Sequence, residues 1–235
     1  VSESTGQDLI RCYGVQPDKI TVVHEAAAPH FRPASTEAMA AIRARYGLPE
    51  GFILTVGTIE PRKNLSRLVD ALQQLRNAGL TIPLVVVGSK GWLYDDLFRR
   101  LERSDVRDAV LFPGYVPSAD LPLIYSAATM AVMPSVYEGF GLPVLESMAC
   151  GTPVVSSNAS SLPEMGGDAA RYFDPYDVEA IAGTIRQVWN DGKLRGEMRE
   201  VGLAQAARFS WERAAEQTLA VYESILPPGT RREDG

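Results

Sequence analysis

The chain has 235 residues, of which 46% are hydrophobic and 22% are charged, so it can bury the core of one large domain or two small ones. Its formal net charge of −6 argues against the clustered basic surface on which nucleic-acid binding depends. The sequence contains no run of about 18 apolar residues, so we predict no transmembrane helix. The first residues lack a signal-peptide pattern.

The N-terminal part is predicted to begin with a short amphipathic helix, because Leu9, Ile10 and Tyr13 have helical spacing before a glycine. ITVVHE (residues 20–25) then predicts a strand, and the proline-containing segment after it predicts a linker.

The two histidines and two cysteines of the chain do not suggest a metal site. We expect packing or surface roles for His24 and His30. Cys12 and Cys150 lack metal-ligand spacing and suit a reducing compartment.

From about residue 36 onward, amphipathic helices alternate with short apolar strands. Strands that are apolar throughout predict a parallel sheet covered on both faces, so the fold class expected is α/β, a doubly wound Rossmann-like sheet. Asn64 and Ser210 are predicted to cap helices with their side chains. The predicted strands are 52–57, 83–88, 110–114, 130–134 and 153–157, with a further edge strand before residue 175. Short helices are predicted from residue 143 and near residue 162. The other predicted helices are 37–47, 65–79, 94–103, 120–128, 178–190, 193–209 and 210–226.

The stretch SVYEGFGLPVLESMACGTPVV sets Glu138 and Glu146 eight positions apart around a turn that contains Gly139 and Gly141. Pro143 is predicted to be the first residue of a short helix after that turn. Glycines allow close approach of a ligand, and a helix start favours an anion, so a phosphate ester with hydroxyl groups fits this turn. The alternative is that one glutamate complements the helix dipole and the other is a solvated loop residue.

Predicted strand ends carry further binding signals. Gly57, Gly88 and Gly114 end three strands, and a doubly wound sheet binds ligands at the carboxyl ends of its strands. Arg62 and Lys63 follow the first of these ends, so we expect them to face the same crevice as the glutamate turn, unless they are merely solvated. The sequence has no GxGxxG after the first strand and no Walker A, GxSxG or HExxH motif.

These motifs resemble the C-terminal, donor-binding half of retaining glycosyltransferases of GT-B architecture in the family 4 group. EGFGLPVLE resembles the paired-glutamate motif of that family, and SMACGTPVVSS resembles the helix and strand that accompany it. VGTIEPRKNL resembles its phosphate-contact loop, in the form seen among mannosyltransferases and related enzymes of surface polysaccharide synthesis. The segments FPGYVPSADLPLIYSAA and SWERAAEQTLAVYESI also fit, so the resemblance covers nearly the whole chain.

The resemblance implies roles for individual residues. Glu138 binds hydroxyls of the transferred sugar and Glu146 binds the ribose, while Lys63 with Arg62 binds the diphosphate and stabilises the leaving nucleotide. Thr58 stands where many members have an arginine, and Arg62 is expected to take that place. The residues expected to act in transfer are thus Glu138, Arg62 and Lys63, and the other donor-binding positions implied are Gly57, Thr58, Gly88, Gly114, Tyr115, Val116, Gly139, Phe140, Gly141, Leu142 and Glu146.

The resemblance also implies the reaction. A GDP- or UDP-sugar, most often with mannose, donates its sugar to a saccharide or lipid-linked acceptor with retained configuration, through front-face attack that needs no protein nucleophile, cofactor or metal ion. It implies a cytoplasmic location, or the inner face of the membrane with peripheral contact. A non-catalytic module that binds nucleotide sugars and a nucleotide-sugar epimerase of the same fold remain alternatives.

The domain organisation expected from the resemblance makes this chain one half of an enzyme. Because the chain begins at Val1 rather than Met, we expect a fragment. With most of the acceptor-binding domain missing, the resemblance implies that this fragment binds donor but does not transfer alone. An apolar patch near Val221 and Ile225 is expected to be exposed. The expected divisions are 1–30 as the end of an acceptor-binding domain with its linker, 31–209 as the donor-binding domain, 210–226 as a helix that packs back on the acceptor-binding domain, and 227–235 as a disordered tail.

Overall fold

The computed structural model describes residues 1–226, and the predicted disordered tail, 227–235, lies outside the described residues. The strands are β1 (Ile53–Val56), β2 (Leu84–Val87), β3 (Val110–Leu111), β4 (Met130–Met133), β5 (Val154–Ser157) and β6 (Ala170–Phe173). The α-helices are α1 (Glu3–Tyr13), α2 (Thr36–Tyr46), α3 (Leu65–Asn77), α4 (Asp95–Glu102), α5 (Leu121–Ala127), α6 (Leu142–Ala149), α7 (Leu162–Gly166), α8 (Val178–Asn190), α9 (Gly192–Ala206) and α10 (Trp211–Ile225).

The six strands form one parallel sheet in the order β3-β2-β1-β4-β5-β6. Ile53 of β1 is in register with Leu84 of β2 on one side and with Met130 of β4 on the other. The direction of winding reverses between β1 and β4, which is the topological switch point of a doubly wound sheet. The predicted fold class is therefore confirmed, and the loops after β1 and β4 meet at this switch point.

Both faces of the sheet are covered, as continuously apolar strands predict. Ile53 packs into a core with α3 and α8, whereas the next residue, Leu54, packs into a core with α2 and α5 on the opposite face. A third cluster joins β4 and β5 to α6 and α7. Successive strand residues point to opposite faces, so each strand contributes to the core with α3 and α8 on one face and to one of the other two clusters on the opposite face.

The strand predicted at residues 20–25 is wrong, because this segment is irregular chain. β3 and β6 form the two edges of the sheet, so the segment has no strand beside it. Its apolar side chains pack on α1 instead. Methyl carbons of Ile20 and Val22 lie 3.5 and 3.6 Å from the position that a Cβ on Gly6 would occupy.

Helix α10 is capped as predicted but is mostly exposed. The Oγ of Ser210 accepts a hydrogen bond from the backbone N–H of Arg213 at 3.1 Å. Of the two residues in the expected apolar patch, Ile225 is 75% exposed and Val221 is half-buried. Tyr222 and Leu219 extend the exposed apolar surface along the helix. Among the helices described, none combines the length and apolar character that crossing a bilayer requires.

Candidate functional site

The carboxyl ends of β1 and β2 meet so closely that glycine is required there. A Cβ on Gly88 would lie 2.0 Å from the carbonyl oxygen of Gly57, well inside van der Waals contact. A Cβ on Gly57 would lie 3.1 Å from the Nζ of Lys63. The absence of side chains opens the backbone at this strand end, and the Lys63 ammonium lies directly over it.

Asn64 ties the loop after β1 to its neighbours and does not cap α3 through its side chain, so that prediction is wrong. Its φ of 57° is left-handed, which turns the side chain away from the helix start. The buried Nδ2 donates instead to the carbonyl oxygens of Pro134 at 2.9 Å and Pro175 at 2.7 Å. These contacts fix the short 3₁₀ helix Pro61–Lys63, which carries the basic pair, against the loops after β4 and β6.

The carboxylate of Glu138 lies against the basic pair and is only 8% exposed. Its Oε1 accepts from the Nζ of Lys63 at 2.6 Å and from the Oγ of Ser135 at 2.7 Å, and its Oε2 accepts from an Nη of Arg62 at 2.5 Å. Burial by itself raises the pKa of Glu138, but the charge of Lys63 and these three hydrogen bonds outweigh burial and hold that pKa below its ordinary value. The group is therefore an ionised carboxylate bound by two cations.

The backbone around Glu138 is held from the loop after β5. The Oγ of Ser160 accepts from the N–H of Glu138 at 2.8 Å. The buried Oγ of Ser161 lies 2.9 Å from the carbonyl oxygen of Glu138 and 2.7 Å from that of Phe140, to which it can donate. Two adjacent serines thus fix the backbone at Glu138 and with it the direction of the Glu138 side chain.

Helix α6 begins directly behind the glycine turn. Its N-cap residue is Gly141, whose φ of 110° disfavours any other residue and whose hydrogen side chain offers no capping acceptor. The helix starts at Leu142, so Pro143, predicted as the first helical residue, is the second. The positive end of the α6 dipole therefore points into the turn without a side chain to satisfy it.

Helix α1 contacts the other side of the same turn. The carbonyl oxygen of Gly139 accepts from the Oγ of Ser2 at 2.6 Å and from the Oγ1 of Thr5 at 2.9 Å. The phenol of Tyr137 donates to Asp8 of α1 at 2.9 Å. The N-terminal residues thus hold one face of the turn and donate hydrogen bonds to its Gly139 carbonyl oxygen.

Glu146 lies on α6, eight residues after Glu138, and its surroundings differ from those of Glu138. It accepts a hydrogen bond from the fully buried Tyr125 at 2.8 Å, and no second hydrogen-bond donor reaches it from residues 1–226. Burial raises the pKa of Glu146 above its ordinary value, and neither the Tyr125 bond nor the nearby His30 cancels this effect. The structure therefore brings Arg62 and Lys63 to Glu138 but not to Glu146.

A separate group of predicted residues lines a cleft of about 700 Å³ along the ends of β1, β2 and β3. The cleft is mostly apolar, with Phe98 and Phe112 in its wall and Lys90 and Arg107 as its cations. At its rim the ring of Tyr115 is 88% exposed. The predicted residues that line it are Gly57, Thr58, Gly88, Gly114, Tyr115 and Val116.

Several residues at this site were not singled out from the sequence. Ser135 stands three positions before Glu138, a spacing that could have suggested a contact within a tight turn. Ser160 and Ser161 are distant in sequence, and only the order of the strands brings them close. Glu60 directly precedes the short 3₁₀ helix that carries the basic pair. Within the described part of the chain, no group of three or more His, Cys, Asp and Glu side chains is placed to hold a metal ion.

Comparison with known families gives one matching family model, described as "Glycosyl transferases group 1", over residues 39–205. The chain is 41% identical over 227 residues to the O-antigen chain mannosyltransferase B of Escherichia coli, and the match covers 96% of this chain and 60% of that protein. It is 30% identical over 240 residues to the serotype-specific mannosyltransferase WbdA of Escherichia coli, with 100% of this chain and 29% of that protein covered. The chain thus spans less than two thirds of the length of these relatives.

Among solved structures, the chain is similar to HepE of Anabaena in complex with UDP-glucose. The TM-score is 0.86 at 21% sequence identity, and the match covers 95% of this chain and 62% of that one. At this identity the likeness establishes the shared fold.

Proposed function

The chain belongs to the group 1 glycosyl transferases, and on that premise we propose that it binds a nucleotide diphosphate sugar as the donor-binding part of a retaining glycosyltransferase. The observation that carries the proposal is the contact of Glu138 with Lys63 and Arg62 at the switch point between β1 and β4. In doubly wound sheets this is where ligands bind.

The diphosphate of the donor is proposed to lie between the basic pair and the start of α6. Lys63 and Arg62 supply positive charge from the loop after β1, and the uncapped helix start supplies N–H groups and the positive dipole end. The same groups stabilise the nucleoside diphosphate as negative charge develops on it during departure of the sugar. Residues Gly139, Phe140, Gly141 and Leu142 are proposed to contact the sugar and phosphates through their backbone.

The transferred sugar is proposed to contact Glu138. An ionised carboxylate only accepts hydrogen bonds, so it suits the hydroxyl groups of a sugar. Its oxygens already accept from Lys63, Arg62 and Ser135, which disperses their charge and makes the group a weak nucleophile. This supports retention through front-face attack without a covalent intermediate on the protein, and it gives the cations a partner until the diphosphate binds.

The nucleoside is proposed to occupy the cleft at the ends of β1, β2 and β3. The cleft is apolar enough for a base, and Gly88 and Gly114 let the ligand approach the backbone. Glu146 is proposed to accept hydrogen bonds from the ribose hydroxyls. GDP or UDP is proposed as the nucleotide. The two relatives are mannosyltransferases by name, which favours mannose as the sugar.

The acceptor is proposed to be a saccharide or a lipid-linked glycan that binds to a further domain of the complete enzyme. In this proposal residues 31–209 are the donor-binding unit, residues 1–30 belong to the connection with the acceptor-binding domain, and α10 contacts that domain. The exposed Leu219, Tyr222 and Ile225 on α10 support this last point. We propose the cytoplasm, or the inner face of its membrane, as the location, which is consistent with the free thiols of Cys12 and Cys150.

Titration calorimetry with a panel of GDP- and UDP-sugars tests the proposal. We expect saturable binding of at least one donor, and weaker binding by Glu146→Ala, because the ribose loses its acceptor. Arg213→Ala, at an exposed position on α10 that is not among the residues proposed to bind the donor, is a control and should bind as the wild type does. Absence of binding at millimolar donor by the wild type overturns the proposal.

A further inference from the structure

Glu60 is a second carboxylate beside the basic pair, and its side chain is only 13% exposed. Its Oε1 lies 2.5 Å from the Nε of Arg62, and its Oε2 accepts from the indole Nε1–H of Trp92 at 3.0 Å. Both oxygens therefore have partners, one in the loop after β1 and one in the loop after β2. Glu60 is consequently a bridge rather than a solvated surface charge.

The two loops that Glu60 bridges are already bonded along their backbones. The N–H of Ile59 donates to Ser89 at 2.9 Å, and the N–H of Gly91 donates back to Ile59 at 3.1 Å. A Cβ on Gly91 would lie 2.6 Å from the Cγ2 of Thr58, so glycine is needed for this close packing. The Trp92 contact thus anchors Glu60 to a well-supported segment.

This anchor fixes the orientation of the Arg62 guanidinium. Glu60 holds its Nε, and Glu138 and the Tyr137 carbonyl oxygen hold one Nη at 2.5 and 3.2 Å. A planar guanidinium held at two of its nitrogens cannot rotate about its long axis. The other Nη has no hydrogen-bond partner within residues 1–226, and its two N–H groups remain for a ligand.

Charge alone gives no reason for a glutamate at this position. Arg62 and Lys63 carry two positive charges, and Glu138 and Glu60 carry two negative charges, so the second carboxylate removes the net positive charge that would attract a diphosphate. A residue that only tuned the potential would weaken anion binding.

Resting on the proposed function, we infer that Glu60 is a positioning residue, which acts through Arg62, and that its bridge to Trp92 holds the guanidinium ready for the donor diphosphate. Removing the negative charge of Glu60 then weakens nucleoside diphosphate binding, although electrostatics alone would strengthen it. The inference and the purely electrostatic alternative therefore predict effects of opposite sign.

The test is calorimetric titration of the full chain with UDP and GDP. Glu60→Gln keeps the length but offers one acceptor where two donors converge, and Glu60→Asp keeps the charge but is too short to bridge them. Both should bind about fivefold more weakly, which is close to the net effect of one typical hydrogen bond. Trp92→Phe should bind about twofold more weakly, because Glu60 keeps its contact with Arg62. The matched control is Glu102→Gln, which removes an exposed carboxylate on α4 and should leave binding unchanged.

Two further measurements separate positioning from loss of structure. In the Arg62→Ala background, Glu60→Gln should have no additional effect, because a positioning residue acts only through its partner. In the ligand-free chain, the indole N–H resonance of Trp92, assigned from Trp92→Phe, should move in Glu60→Gln while those of Trp189 and Trp211 stay in place.

The outcomes distinguish the inference from the proposed function. A wild type that binds neither UDP nor GDP removes both. Binding by the wild type with equal or tighter binding by Glu60→Gln overturns the inference alone. A Glu60→Gln effect that persists in Arg62→Ala overturns it too, because the residue then acts by another route.

Discussion

Glu138 and Glu146 belong to one nine-residue motif, EGFGLPVLE, yet the fold gives them opposite electrostatic environments. Glu138 accepts from two cations and a serine, and its pKa is lowered despite burial. Glu146 accepts from one phenol, and burial raises its pKa. The difference arises outside the motif, because Lys63 and Arg62 come from the loop after β1 and Tyr125 comes from α5.

This comparison shows that the spacing of two carboxylates does not determine their chemistry. The first is held as an ion by groups that a charged ligand can also contact. The second is a half-buried acceptor with one hydrogen-bond donor, Tyr125, among residues 1–226. Four variants test whether the two environments differ in this way.

Glu138→Gln should have the largest effect on stability. It leaves the Lys63 ammonium, on a side chain that is 13% exposed, without an opposite charge. This costs about 3 kcal/mol of unfolding free energy, near the low end for a broken buried pair because water reaches both cations. Urea denaturation at neutral pH measures this. In a double-mutant cycle with Lys63→Met, the second substitution should recover part of the loss. Simple additivity of the two changes would contradict the close pair.

Asn64→Ala should have the second-largest effect on stability, because Asn64 holds the loop that brings Arg62 and Lys63 to Glu138. It leaves the carbonyl oxygens of Pro134 and Pro175 buried without their donor, at a cost of about 2 kcal/mol. The matched control is Asn77→Ala at the exposed end of α3, which should change the unfolding free energy by less than about 0.5 kcal/mol. Equal effects of the two substitutions would show that Asn64 does not anchor the site.

The fold could be predicted from the sequence further than the contacts within the site. The strands were recognisable because continuously apolar segments such as Leu84–Val87 alternate with amphipathic helices, and the glycines at their ends marked the crevice. The segment at 20–25 has the same apolar character, but strand pairing depends on a partner that local sequence does not reveal.

The contacts within the site were less predictable, because they join residues distant in sequence. Asn64 has the composition of a helix cap, and only its left-handed backbone and the nearby Pro134 and Pro175 carbonyls redirect its side chain. Similarly, Glu60 is one polar residue in a polar loop until the neighbouring strand places Trp92 beside it. The resemblance named Lys63 and Glu138, but their direct contact depends on the order of β1 and β4.

Tyr125→Phe tests the Glu146 side of the comparison, with an expected loss of about 1 kcal/mol for one buried hydrogen bond. Phenylalanine keeps the packing of the fully buried ring and removes only the hydroxyl group. Tyr46→Phe is the matched control, since its hydroxyl also donates to a carboxylate, Asp120 at 2.6 Å, but in a half-buried position. Denaturant unfolding should show a larger loss of unfolding free energy for Tyr125→Phe than for Tyr46→Phe. The reverse order would contradict the role of Tyr125 as the hydrogen-bond donor to Glu146.

Glu146→Gln should have the smallest effect, about 0.5 kcal/mol, and its sign should depend on pH. Burial raises the folded-state pKa of Glu146, so its contribution to stability is fully present below the ordinary glutamate pKa of about 4.3 and is lost as pH rises through the folded-state pKa. Glutamine does not ionise, so the variant should gain stability relative to the wild type as pH rises above about 4.3, until the pH has passed the folded-state pKa of Glu146.

Glu138→Gln is the internal control for this pH dependence, because the sign is opposite. The folded-state pKa of Glu138 is lowered, so its contribution is present above the ordinary glutamate pKa and is lost as pH falls through the folded-state value. The deficit of Glu138→Gln should therefore grow as pH rises toward about 4.3 and stay constant above that value, whereas Glu146→Gln should gain stability relative to the wild type only above about pH 4.3. If unfolding curves at several pH values show the same trend for both variants, the two glutamates do not lie in opposite environments, and one donor could not be expected to use them differently.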